Sequence, residues 1–151
     1  MVRPQERKKA DKRPLWKCPK CGAKLVTRNL WHACGRYSLK ALFARSEPQV
    51  WRVYQQYVKL VRSIGPITVV PQKSRFVFMT RIRFAGGMPR KSYLDAHFLY
   101  PEPLRSPRIT SSEKFPSCYV HRVQLRTPRD LDAQLRGWLR AAYRVGLQEK
   151  M

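Results

Sequence analysis

The sequence predicts an α+β domain whose mostly antiparallel sheet carries helices on one face, with a small zinc-knuckle or ribbon module ahead of it. Three observations lead there. Segments of helical period precede and follow a run of β-branched and aromatic segments punctuated by Pro, Gly and Ser, so the order is helix, helix, strands, helix. The stretch KCPKCGAKLVTRNLWHACG, residues 17–35, spaces its thiols as metal ligands are spaced. The 151 residues, 43% hydrophobic and 11% aromatic, suffice for one packed core and an appendage too small to fold unaided.

Residues 1–13 (MVRPQERKKADKR) are basic and aperiodic, which predicts a flexible tail ordered by an anionic partner. Arg7, Lys8, Lys9, Lys12 and Arg13 are its candidate phosphate contacts. No apolar stretch follows this basic start as in a secretory signal, and no apolar run approaches the roughly 18 residues of a membrane span. An intracellular, cytoplasmic chain without a membrane partner is the expectation.

Residues 14–37 form the expected metal module. Cys18, Cys21, His32 and Cys34 fit Cys-x2-Cys-x10-His-x-Cys, and the span between the two pairs is long enough for a hairpin. Zn²⁺ favours four such borderline ligands in a tetrahedron, and with all four positions filled by protein its role is structural. A redox Cys-x-x-Cys is the alternative, but such a pair opens a helix after a strand in a thioredoxin-like unit, which is missing here. His32, the fourth ligand, could instead decorate a loop. Cys118 lies far from this cluster and reads as a small core or strand residue. Three thiolates and one Zn²⁺ sum to about −1, so the module leaves the positive excess intact. It would present Lys17, Lys20, Lys24 and Arg28 on a rigid scaffold. Trp16 and Trp31 are more simply read as cover for the small module than as stacking surfaces.

Residues 38–151 make the α+β domain. SLKALFAR (38–45) suits a short helix. Ser46, with Gln49 three positions on, reads as the cap of a second helix running to about Ile64, and Gly65-Pro66 ends it. Its Val50, Val53, Tyr54, Tyr57, Val58, Val61 and Ile64 form one stripe, and Arg52, Lys59 and Arg62 lie off it. ITVV, RFVFMT, RIRFA, SYLDAHFLY and CYVHRVQLR read as strands, with Gly86-Gly87 as a turn. Arg81 and Arg83 alternate with Ile82 and Phe84, predicting a wet, basic strand face that could meet phosphates. PEPLRSPR is too proline-rich for a sheet interior. Thr127, Pro128 and Asp130 start a last helix with an apolar stripe of Leu131, Leu135, Trp138, Leu139, Ala142 and Tyr143, flanked by the row Arg136, Arg140, Arg144.

The succession of W-x-C-P-x-C-G, H-x-C-G, GRYSLKALF, SIGPITVVPQKSRFVF, FAGGMPRKSYLDAHF, SPRI, VHRVQLRTPRDLD and WLRAAYRVG resembles the bacterial proteins of domain of unknown function 5655 that carry an amino-terminal zinc-knuckle extension. The resemblance runs from Trp16 onward and implies Cys18, Cys21, His32 and Cys34 as the metal set. The family has no settled activity, so the resemblance implies fold and module boundaries rather than mechanism.

Function is read first from charge. Thirty-two Lys and Arg stand against 9 Asp and Glu, a net +23, and a surface so charged repels itself unless a polyanion neutralises it. Nucleic acid is the commonest such partner, which predicts a non-catalytic protein binding RNA, including the ribosome, or DNA. No recognition-helix signature accompanies the charge. A nuclease or hydrolase is the alternative, with His97 and His121 as general acid and base and Arg108 on a phosphate. Strand parity weighs against it, because His121 shares a face with Tyr119, Val123 and Leu125 and reads as a core histidine. A Mg²⁺-dependent nuclease lacks a carboxylate cluster, and no phosphate-binding glycine loop occurs. A third reading is a module that binds acidic proteins.

Overall fold

The computed structural model describes residues 16–17, 24–25 and 37–149. Two short strands, β1 (Trp16–Lys17) and β2 (Lys24–Leu25), pair antiparallel with Trp16 opposite Leu25 and Lys17 opposite Lys24. The rest is a six-stranded sheet carrying the helices on one face, an α+β fold.

A four-residue helix, α1 (Leu39–Leu42), is capped by the Ser38 side chain, which accepts from the Ala41 amide. The long helix α2 (Pro48–Arg62) starts one residue later than the Ser46 cap predicts. Glu47 holds the cap position with no side-chain bond, and Pro48 supplies the preset first turn. Ser46 and Gln49 serve elsewhere, donating to the carbonyls of Arg90 (2.8 Å) and Ser92 (3.1 Å) and so tying the helix start to a hairpin. The apolar stripe behaves as its period requires: Val50, Val53, Tyr54, Tyr57, Val58 and Val61 are all buried.

The sheet comprises β3 (Thr68–Pro71), β4 (Phe76–Met79), β5 (Arg83–Pro89), β6 (Leu94–Tyr100), β7 (Ile109–Lys114) and β8 (Tyr119–Leu125), in the order β3-β4-β5-β6-β8-β7, with every pair antiparallel. Two strand expectations need correction. Gly86-Gly87 is no turn but the middle of β5, where a Cβ on Gly86 would stand 2.3 Å from the Phe76 carbonyl oxygen and one on Gly87 would stand 3.0 Å from the Phe76 ring. These glycines let β4 and β5 approach where aromatic rings fill the space. Arg81 is not on a wet strand face. It lies in the β4–β5 connection, 6% exposed, with its Nε donating to Gln148. The strand begins only at Arg83, after the Arg81 and Ile82 amides have both bonded the Gly146 carbonyl.

Thr127 and Asp130 make their capping box around a 3₁₀ turn, Pro128–Asp130, rather than around the helix itself. The chain leaves helical geometry at Leu131, and α3 (Ala133–Gly146) starts afresh with Asp132 accepting from the Leu135 amide. Leu135, Leu139, Ala142 and Tyr143 then face the sheet. With α2 they enclose Phe76, Phe78, Phe84, Leu94, Ala96, Phe98, Val123 and Leu125 in one core. Among the described residues no helix is long and apolar enough to cross a membrane.

Candidate functional site

Because side chains alternate along a strand and cross-strand partners share a face, the register sorts every polar residue of the sheet. Phe98 pairs with His121 and Ala96 with Val123, which sets these on the helix-covered face. Gly86 pairs with His97, and His97 with Arg122, which sets that row on the opposite face. Met88, Asp95 and Gln124 form the next row of the same face.

His97 and His121 are therefore on opposite sides of the sheet. His121 is fully buried, stacked on Tyr119 and tilted against Phe98, with Nδ1 2.7 Å from the Ser112 hydroxyl and Nε2 3.0 Å from the Glu102 carbonyl oxygen. A carbonyl only accepts, so Nε2 carries the proton and Nδ1 accepts from Ser112, leaving neither nitrogen for substrate. Arg108 is likewise engaged. Its Nη1 reaches both Asp132 oxygens (2.8 and 3.0 Å) and Gln134, its Nη2 donates to the Asp130 carbonyl, and its guanidinium lies over the Trp138 ring. The residues of the hydrolytic alternative are not brought together.

What the sheet does assemble is a cationic cluster around His97. The Asp95 carboxylate sits 3.7 Å from Arg122 and 4.0 Å from Arg90. Burial, then the charges of Arg122 and Arg75, push His97 down to about 4, so its imidazole is neutral at neutral pH. Burial and the nearby Arg75 also lower Arg83. Among the described residues Arg75, Arg90 and Arg122 thus share this region with the Asp95 carboxylate, a positive excess that attracts an incoming anion. From beneath, the buried Tyr57 hydroxyl donates to the Gly86 carbonyl at 3.0 Å, with the His97 carbonyl 3.4 Å away, fixing the strand pair that carries the ring. Burial raises the Tyr57 hydroxyl well above its usual range and keeps it protonated for that bond.

Beside the cluster lies a cavity of about 440 Å³ lined by Tyr37, Gln72, Lys73, Ser74, Arg75 and Met88. It is formed by the β3–β4 turn, which closes through the Gln72 amide on the Arg75 carbonyl at 2.7 Å, and by the end of β5.

Residues 39–146 match the family described as Domain of unknown function (DUF5655). The chain belongs to this family. No curated protein and no solved structure matches it. The family match spans the whole sheet and both long helices of this DUF5655 protein, and so includes His97, Arg75, Arg83 and Arg122.

Of the expected site residues, Lys17 is exposed on β1, Arg83 opens β5 and Arg81 is buried. Lys24 is placed by its backbone alone, opposite Lys17. Arg7, Lys8, Lys9, Lys12, Arg13, Lys20 and Arg28, with Cys18, Cys21, His32 and Cys34, lie outside the described residues. Among the described residues no three His, Cys, Asp or Glu side chains gather as a metal ion requires. Sequence reasoning missed Arg75 and Arg122. The signal for Arg122 is parity: if His121 points into the core, its neighbour must point to the other face, where Asp95 and His97 already break the apolar pattern.

Proposed function

We propose that this chain is a zinc-containing, strongly basic nucleic-acid-binding protein that acts by binding rather than catalysis, with RNA, including ribosomal RNA, or DNA as its ligand. The observation that carries the reading is Arg122 standing opposite His97 in the strand register and beside Asp95, with Arg90 beside the same Asp95 and the charge of Arg75 also felt at the ring, in a chain of net charge +23. Phosphates neutralise such a cluster and release their counterions, which drives association without base readout. His97 adds a neutral donor or acceptor among the cations, and the basic tail and metal module widen the footprint.

The zinc part rests on ligand chemistry. Cys18, Cys21, His32 and Cys34 are a complete tetrahedral set, and pairing of β1 with β2 holds together the two ends of the segment that contains Cys18 and Cys21. The ion would be structural.

Low-salt purification of the full chain, with sequencing of the nucleic acid that travels with it, tests the reading. Arg122→Gln should weaken binding evenly across sequences and reduce the salt slope by about 1. Isolation without nucleic acid, together with no affinity for added RNA or DNA in dilute buffer, would end it.

A further inference from the structure

The cavity beside the His97 cluster has a chemistry of its own. None of its six lining residues is a carboxylate, and most are donors: the Gln72 amide, the Lys73 ammonium, the Ser74 hydroxyl, the Arg75 guanidinium and the Tyr37 phenol. Gln72 is 7% exposed. Its Oε1 accepts from Arg75 Nε at 3.1 Å, which leaves its Nε2 without a partner among the described residues. That amide nitrogen keeps access to solvent and is open as a donor to a ligand oxygen. Lys73 and Arg75 form no ion pair among the described residues, and the carboxylate of the adjoining row, Asp95, is engaged by Arg122 and Arg90. The Tyr37 ring and the Met88 thioether add apolar surface suited to a flat heterocycle. The volume, about 440 Å³, falls within the ~300–1,000 Å³ of small-ligand sites.

We propose that this cavity takes a phosphorylated nucleotide, with its phosphate on Gln72, Lys73 and Arg75 and its base against Tyr37 and Met88. The inference rests on the nucleic-acid reading and deepens it: a strand crossing the His97 cluster would end here, on its terminal phosphate. A free mononucleotide offers the same chemistry.

The test uses the full chain with its methionine methyl groups ¹³C-labelled, so that the Met88 resonance reports on the cavity. Three probes are titrated: one short single-stranded oligonucleotide with hydroxyl ends, the same strand phosphorylated at either the 5′ or the 3′ end, and the mononucleotide alone. A terminal phosphate should tighten binding about tenfold and shift the Met88 methyl signal. Lys73→Ala, at an exposed turn position, should abolish that increment while leaving the hydroxyl-ended strand nearly unaffected. Gln72→Glu, which can still accept from Arg75 but repels phosphate, should do the same. A Met88 shift with the mononucleotide alone and no strand binding keeps the subsite and removes the nucleic-acid reading. Strands that bind equally with and without the phosphate, leaving Met88 unmoved, overturn the subsite and keep that reading.

Discussion

At His97 the fold holds a titratable ring neutral at a cost that appears in acid. The unfolded chain takes up a proton near pH 6.5, but the folded ring waits until about 4. Between those values the unfolded state binds more protons, so stability is complete above 6.5 and is lost as pH falls toward 4, by on the order of 3 kcal/mol. His97→Asn should remove this slope, which denaturant midpoints of both proteins between pH 7 and 4.5 will show; parallel pH profiles would contradict it. Glycines give a second contrast. Gly86→Ala should destabilise by about 2–4 kcal/mol, because the new methyl meets backbone atoms of Phe76 and Val77 at 2.3 and 2.9 Å. Gly137→Ala, exposed on α3 with nothing within 4 Å, should stabilise by about 0.5–1 kcal/mol. Reversal of either sign in urea unfolding would refute the packing account. The sequence revealed the polar positions Asp95 and His97, but not that Arg122 stands opposite His97. That fact belongs to strand register, which is set by partners far away in the chain.

Elements with an apolar stripe could be read directly, and those whose ends depend on tertiary partners could not. The α2 and α3 stripes are both buried as their periods require. Both helix starts moved, however, because a capping side chain can be drawn off by a neighbour, as Ser46 is by Arg90, or outbid by a second cap, as Thr127 is by Asp132. β7 escaped the pattern altogether: ITSSEK is an edge strand, exposed beyond Ile109, and lacks the alternation that marks a half-buried one. Asp132 both caps α3 and pairs with Arg108. Its backbone bond to Leu135 and its contact with Arg108 outweigh partial burial and hold its carboxyl below the usual range. With its side chain 47% exposed, the ion pair counts for little, and the cap for most of the effect. Asp132→Ala should therefore cost about 1–2 kcal/mol and Asp132→Asn only a few tenths, since Asn still caps. Equal losses in chemical denaturation would assign the effect to the ion pair instead.

For the molecule as a whole, the α+β class and the helices on one face followed from period and order, because burial of one stripe or one sheet face is a local demand on sequence. The candidate site followed only in outline, since net charge has no address until a fold gives it one. Elemental analysis of freshly purified protein should find one zinc per chain, and a chelator that removes it should weaken nucleic-acid binding through loss of the clamp around Cys18 and Cys21; metal-free material that binds unchanged would separate the two claims. The most direct measurement of the central claim is the affinity of the full chain for a nucleic-acid duplex as a function of salt. With about six phosphates contacted, log K should fall against log[salt] with a slope near −5 on DNA; a flat line, or no binding at the lowest salt, would contradict the account.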